Sequence, residues 1–351
     1  MRKVASQTTV PRGVVSRLER WFPAVLRDLP WRRRRSPWRV LVSEVMLQQT
    51  QAARVAQRYS AFTRRFPTPR RLAEASEREV LAAWQGLGYY RRARLLRAAA
   101  QAIVRDHGGR VPGEESALLS LPGIGRYTAG AVASIAFGRA APIVDGNVAR
   151  VLLRLADRRD DPRGAAALAW LWSEAERLVR AARSPAVFNE ALMELGATVC
   201  VPRSPRCGEC PLRSLCAARR AGSQELVPLT RSPAPRRRVV HHALAEIRGG
   251  RLGVEARPGT GLWAGMLSPP VVEANRVRSA AQLLRLRGDL REIAGLAGQF
   301  DFATTHRAIQ VRVYHARFHR RAPLRWIALE SLARHPVSNA VLRIARVAAD
   351  G

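Results

Sequence analysis

The sequence predicts a mainly α N-terminal domain over residues 14–220 and a smaller α/β domain over residues 238–351, joined by a linker at 221–237. Three observations carry this division. Apolar residues recur at helical spacing through most of the first 220 positions. Apolar and polar residues alternate in short runs only beyond residue 237. Between them, AGSQELVPLTRSPAPRR is rich in proline and turn residues without sustained periodicity. At 351 residues the chain is long enough for two ordinary domains, each with its own core.

Taken in order, Ser36 and Pro37 suit an N-cap and first helical position before WRVLVSEVMLQQTQAARVAQRYSAFTRRF. A second helix is expected over SEREVLAAWQGLG, broken by Gly86 and Gly88, and a third over RRARLLRAAAQAIVRDHG. The small, apolar block YTAGAVASIAFG reads as a buried helix, partnered by VARVLLRLA. Two further helices are expected over AALAWLWSEAERLVRAA and PAVFNEALMELGATV, the second delivering Cys200. Beyond the linker, RRVVHHALAEIRGGRLGVEARPG reads as two strands around Gly249 and Gly250, and HRAIQVRVYHARF as another. SAAQLLRLRG and SNAVLRIARVAA are its helices, and no internal repeat is evident.

Sixty basic residues against 27 acidic give a formal charge of +33, which attracts a polyanion. Nucleic acid is the first candidate and an acidic membrane surface the second, because no apolar stretch reaches the roughly 18 residues of a spanning helix. Arginine-rich genome composition inflates the count, yet acidic residues stay below half the basic number. Lys3 is the sole lysine. Any mechanism that needs a Schiff-base amine is therefore nearly excluded outside the N-terminal tail.

All four cysteines fall within 17 positions, as Cys200, Cys207, Cys210 and Cys216, separated by six, two and five residues. Four thiolates on one short segment can hold tetrahedral zinc or an iron–sulfur cluster. Two disulfides are the alternative for a secreted chain, but the polar N-terminus MRKVASQTTVPRG has no apolar signal segment. A single CxxC pair, at Cys207 and Cys210, leans toward [4Fe-4S] over zinc.

LPGIG at 121–125 combines one fixed φ at Pro122 with the freedom of Gly123 and Gly125, a tight passage between helices that turns backbone N–H groups outward. Such groups receive a phosphate without reading a base, the helix-hairpin-helix reading; an ordinary glycine turn is the alternative. Asp145 precedes an apolar helix and suits an N-cap. Glu44 lies among apolar residues in VLVSEVMLQQT. A helix there would bury its carboxylate and raise its pKa, as a general acid near neutrality needs, although a satisfied structural carboxylate fits the same pattern.

Together, LPWR, SEVMLQQTQ, GLGYYRRAR, LPGIGRYTAG, PIVDGNVARVL, FNEALMELGATVC and the cysteine array resemble, in order, the MutY adenine DNA glycosylase family of the helix-hairpin-helix superfamily. The resemblance covers residues 29–216. GLWAGM, TTHRAIQVRVY and the Trp326 segment resemble that family's Nudix-like lesion-reading domain more loosely. It implies an N-terminal helix-hairpin-helix glycosylase domain with a [4Fe-4S] loop at 200–216, and a Nudix-like C-terminal domain.

The resemblance further implies that the substrate is double-stranded DNA with adenine opposite 8-oxoguanine or guanine. The target base leaves the stack before it is cut. Glu44 then matches the acid that protonates adenine, and Asp145 the carboxylate beside the sugar C1′. Tyr127 matches an active-site tyrosine. Arg32, Leu47 and Glu190 match residues around the adenine pocket, Gln49 and Tyr89 wedging and lesion-side contacts, and Thr50 the 8-oxoguanine region. Thr305 and His306 keep two of the family's Phe-Ser-His lesion-reading positions, while Thr304 replaces the aromatic. GLWAGMLSPP lacks the acidic residue usual after this segment, and the clustered glutamates of a Nudix hydrolase are absent. Endonuclease III type relatives carry a Schiff-base lysine at the hairpin, where this chain reads LPGIGRYTAG. The expectation is a monofunctional, monomeric glycosylase, cytoplasmic and nucleoid-associated, that leaves an abasic site; the alternatives are a related helix-hairpin-helix glycosylase of different mismatch or oxidised-base specificity, and a non-catalytic DNA-binding protein.

Overall fold

The computed structural model describes residues 9–229 and 235–350. They divide into two compact units, one built from residues up to 74 and from 95–232, the other from 75–94 and from 233 onward. Lys3 and residues 230–234 of the expected linker lie outside the described residues.

Helices dominate the first unit. Its chain begins with α1 (Gly13–Val25), α2 (Pro30–Arg33), α3 (Pro37–Leu47), α4 (Ala52–Arg65) and α5 (Pro69–Glu74). After α6 (Glu77–Ala83), which belongs to the second unit, α7 (Arg91–Asp106) leads back into the first. There follow α8 (Glu115–Leu119), α9 (Arg126–Phe137), α10 (Gly146–Leu155), α11 (Ala165–Arg180), α12 (Pro185–Thr198) and α13 (Ala217–Arg220). The core gathers α1, α10, α11 and α12, with Leu18, Leu152, Leu171 and Phe188 fully enclosed.

Capping follows the sequence signals. Ser36 accepts from the Arg39 amide at 3.2 Å to start α3, and Ser184 does the same for α12 through Val187. The long helix expected after Pro37 is instead two. Gln49 takes a left-handed φ of 52°, and the chain re-enters a helix at Ala52. Apolar periodicity continues across this break, so the turn is invisible to pattern reading. Likewise α6 stops at Ala83, because the Trp84 indole donates to Gly88 O at 3.0 Å and closes the next turn on itself. The block read as a buried helix is one: Thr128 through Ser134 of α9 are all buried.

The expected linker is partly structured. Val227 is only 1% exposed and joins the first unit's core, and its carbonyl accepts from Arg154 Nε at 2.8 Å. An apolar side chain with a buried arginine partner overrides a turn-rich composition.

In the second unit the strands are β1 (Arg237–Ala245), β2 (Ile247–Arg248), β3 (Arg251–Ala256), β4 (Leu267–Ser268), β5 (Val271–Ala274), β6 (Leu290–Ala303), β7 (Arg307–Phe318) and β8 (Arg325–Ala328). Four of them form a sheet in the order β5-β1-β7-β6, with β1 parallel to β7 and the other pairs antiparallel. β3 pairs antiparallel with β2, β4 and β8 in the second sheet. Helix α15 (Asn339–Asp350) buries Val341, Ile344 and Ala348 in the core shared with Val239 and Val311, and α14 (Ala280–Leu286) places Leu283 in a smaller cluster. Residues 75–94 join this unit through hydrogen bonds from Gln85 and Tyr90 to Val337 O.

Candidate active site

Glu44 sits in the middle of α3 and is 4% exposed. It lines a cavity of about 940 Å³ in the first unit, together with Asp145 and Tyr127. Tyr127, one residue into α9, donates its hydroxyl to Glu44 Oε2 at 2.8 Å and lies 3.2 Å from Met193 Sδ. Burial pushes the Glu44 carboxyl up to about 7; the Tyr127 hydrogen bond opposes this, and the charges of Glu190 and Asp145 add to it. Burial, followed by the neighbouring Glu44 and Asp145 charges, raises Tyr127 well above a normal phenol, so its hydroxyl remains a donor near neutrality.

Asp145 is the N-cap of α10. Its Oδ1 accepts from the Val148 amide at 2.7 Å and its Oδ2 from Asn147 Nδ2 at 3.1 Å. The N-cap reading and the active-site reading therefore both apply to one side chain, because capping leaves lone pairs free while the carboxylate still faces the cavity. Burial raises its pKa, and the bonds from Val148 and Asn147 hold that rise back. The Asp145 turn lies close against α12: a Cβ on Gly196 would sit 2.6 Å from Asn147 Cβ.

Another part of the lining is charged. Arg35 donates to both Glu190 oxygens, at 2.7 and 2.9 Å, while Arg32 donates to Glu194 at 2.9 Å with its Nε 3.4 Å from Glu190. Arg27 pairs with Glu194 as well. Glu190, Met193, Glu194 and Ala197 all reach the cavity, at the 0, 3, 4 and 7 spacing of one face of α12.

Leu47, Gln49 and Thr50 line the same space from the end of α3. Gly123 and Gly125 do so from the hairpin between α8 and α9. Gly123 has φ 77°, and a Cβ there would meet Leu95 Cβ at 2.6 Å, so both conformation and space demand glycine. Ten of the sequence-derived site residues thus share one cavity. Gln48, which donates to Thr128 Oγ1 at 3.1 Å, and Glu194 were missed. The helical spacing from Glu190 would have found Glu194; Gln48 needed the turn at Gln49.

Tyr89, Thr305 and His306 belong to the second unit. Tyr89 adopts φ 48°, is 45% exposed, and shares a 2.6 Å hydrogen bond with Thr305 Oγ1. Thr304 accepts the Arg307 amide at 3.1 Å, so in place of an aromatic the chain has a residue that closes the loop between β6 and β7.

The four cysteines, none paired with another, line one small cavity. Among the described residues no three His, Cys, Asp or Glu side chains are grouped to bind a single metal ion. The donor set is all sulfur, the set that holds a [4Fe-4S] cluster. Burial raises Cys207, Cys210 and Cys216, Cys210 to about 12. Two arginines of α10 hold this loop. Arg150 Nε donates to Cys200 O at 2.7 Å and its Nη2 to Asn147 Oδ1 at 3.0 Å; Arg154, 2% exposed, donates to Val201 O and Pro202 O and lies 3.4 Å from Cys200 Sγ. Neither was anticipated, because nothing in VARVLLRLA marks its arginines as buried.

Residues 42–174 match the HhH-GPD superfamily of base excision DNA repair proteins, 200–216 the iron–sulfur binding domain of endonuclease III, and 242–346 a NUDIX domain. An adenine DNA glycosylase of Mycobacterium tuberculosis is 47% identical over 216 residues, covering 61% of this chain and 70% of that protein. The chain belongs to the adenine DNA glycosylase family. The human adenine DNA glycosylase is 48% identical over 233 residues, 64% of this chain. The match spans less than half of the human and rat relatives, 42% and 46% of their lengths. Among solved structures, a thermostable thymine-DNA glycosylase aligns with TM-score 0.54 and 32% identity over 60% of this chain and 97% of its own. An endonuclease III–DNA complex aligns with TM-score 0.51 and 25% identity over 60% of this chain and 95% of its own. The match to the HhH-GPD superfamily contains both Glu44 and Asp145.

Proposed function

We propose that the chain is a monofunctional glycosylase that excises adenine opposite 8-oxoguanine, or opposite guanine, by acid-assisted hydrolysis in base excision repair. The observation that carries this reading is Glu44, with its pKa near 7, on the same cavity as Asp145. A carboxyl poised at neutrality gives up a proton and takes one back at nearly equal cost.

The adenine enters the cavity as a flipped nucleotide. Protonated Glu44 transfers its proton to a ring nitrogen, chiefly N7, the C1′–N9 bond breaks with its electron pair on the base, and adenine leaves neutral. Asp145 offsets the positive charge that develops on the sugar, as paired carboxylates do in glycoside hydrolysis. Water adds at C1′ and returns a proton to the Glu44 carboxylate. Tyr127 fixes the orientation of Glu44 through its 2.8 Å bond. Arg32, Leu47 and Glu190 form the wall of the base pocket, Gln49 and Thr50 lie at its opened-stack side, and Gly123 and Gly125 offer backbone amides to phosphate. In the second unit, Tyr89, Thr305 and His306 contact the lesion strand.

Cys200, Cys207, Cys210 and Cys216 would hold a [4Fe-4S] cluster, which when bound supplies a structural staple for a basic loop. A lyase step has no amine at the hairpin, since Lys3 is the only lysine. Among the described residues no helix is long and apolar enough to cross a membrane. The proposed setting is a monomer acting on DNA in the cytoplasm at the nucleoid.

The deciding experiment is a panel of duplexes carrying adenine opposite 8-oxoguanine, adenine opposite guanine, and thymine glycol, each analysed with and without alkali. Adenine release from the first two, with strands cut only after alkali, is the expected result. Thymine glycol preference with direct strand scission would sink the reading.

A further inference from the structure

A second cavity, of about 300 Å³, opens in the C-terminal unit where β1 and β7 begin. The parallel register places Arg237 beside Arg307, and Arg278 enters from the segment ahead of α14. The one carboxylate lining the cavity is Glu273, and it is already engaged. Arg307 Nη1 lies 3.2 Å from its Oε2, Arg257 Nη2 2.6 Å from its Oε1, and His241 Nε2 3.5 Å from the same Oε1. Among the described residues, the Arg237 side chain is partnered by the neutral Asn275 Oδ1, at 3.0 Å. Arg278 has no carboxylate partner among the described residues, and its Nε is buried without any hydrogen bond.

Arg237 is exposed and Arg278 half-buried, so water reaches both charges; the buried Arg278 Nε without an acceptor is the costly atom, and three guanidinium groups around one cavity favour an anion there. Arginine's fork of donors suits tetrahedral oxyanions above all. We propose that this cavity is a phosphate-binding site, held by Arg237, Arg278 and Arg307, that receives a backbone phosphate of duplex DNA. The Arg237 amide donates to His306 O at 3.0 Å, so the cavity adjoins the Thr304–His306 loop. Only the identity of the phosphate donor rests on the glycosylase reading; the anion chemistry does not.

The test uses the full chain with its cluster and an undamaged duplex. Binding is followed across a salt series of about 50–300 mM for the native protein, Arg278→Ala and Arg237→Ala. Each variant is expected to bind several-fold more weakly, to lower the salt slope by about one, and to do so equally on matched and mismatched duplexes. Thermal melting with inorganic phosphate and with dGTP distinguishes the sources. If the salt slope is native in both variants while dGTP stabilises the native protein and neither variant, the phosphate site stands and DNA as its source is overturned. If neither duplex, inorganic phosphate nor dGTP separates the variants from the native protein, the site itself is overturned. Failure to excise adenine would remove the proposed activity yet leave this measurement intact, because the probe duplex contains no lesion.

Discussion

The Tyr127 hydroxyl donates to Glu44 Oε2 at 2.8 Å, and this bond opposes the desolvation that lifts the Glu44 carboxyl to about 7. Since it favours the ionised form, Tyr127→Phe should raise the Glu44 pKa further. A hydrogen bond to a charged group is worth about 1.5–3 kcal/mol and one pKa unit about 1.4 kcal/mol, so a rise of about one to two units is expected. The alkaline limb of the single-turnover pH profile should move upward by that amount. An unmoved limb would separate Tyr127 from the titrating group.

Glu44→Gln removes the proton donor while preserving shape. Excision should fall by at least about 10²- to 10⁴-fold, the usual share of general acid catalysis, while lesion-DNA binding persists. Stability should change in the opposite direction. A folded-state pKa raised from 4.5 to about 7 means that the native state holds a proton the unfolded chain releases, so native stability falls as pH rises between those values. Denaturant titrations should therefore show the variant gaining on the native protein from pH 4.5 upward, levelling near 7 at about 3 kcal/mol.

Asp145 has two tasks that substitution can separate. Asparagine retains a side-chain oxygen for the Val148 amide, so Asp145→Asn should keep the melting temperature near native; alanine removes the cap at a cost of about 1 kcal/mol. Both lose the negative charge near the sugar, and both should lose about 10²- to 10³-fold in kcat. Retained activity in the asparagine variant would reduce Asp145 to a helix cap.

Much of this was legible because local chemistry and tertiary role coincide. Ser36 caps the helix that its sequence announces, and Glu44 stands out as an acid among apolar neighbours. What was hidden depends on pairing between distant segments. β6 contains Gly295 and Gly298, exposes many of its residues, and shifts register three times against β7, which erases the alternation a strand should show. Residues 75–94 join the C-terminal unit through bonds to Val337, and no local pattern records a partner about 250 positions away. Arg150 and Arg154 look like surface residues of an amphipathic helix until the carbonyls of the cysteine loop appear beside them.

The hairpin tolerates no side chain at Gly123. With φ 77° and Leu95 Cβ only 2.6 Å from where a methyl group would sit, alanine would be strained in both torsion and contact. Gly123→Ala should cost about 1–3 kcal/mol in stability and weaken duplex binding, whereas Gly125→Ala, with open space and an extended backbone, should cost much less. Equal losses in parallel denaturant titrations would contradict the geometry.

The cysteine loop packs Leu212, Leu215, Cys200, Cys210 and Cys216 against the first unit's core, and burial makes its thiols resist ionisation, Cys210 most strongly. Iron binds thiolates, so loading the proposed cluster must displace those protons, and its binding energy becomes part of the folding energy of residues 200–216. Cys210→Ser should therefore abolish the absorbance near about 400 nm expected of such a cluster and lower the melting temperature. The accompanying stability loss should be on the order of 4 kcal/mol, a size that loss of a metal site can reach. Through Arg150, which spans Cys200 O and Asn147 Oδ1, the loss should also reach the Asp145 turn. Excision should then fall beyond the change in DNA affinity, a split that single-turnover rates at saturating duplex will resolve; a native rate under those conditions would confine the loop to DNA binding.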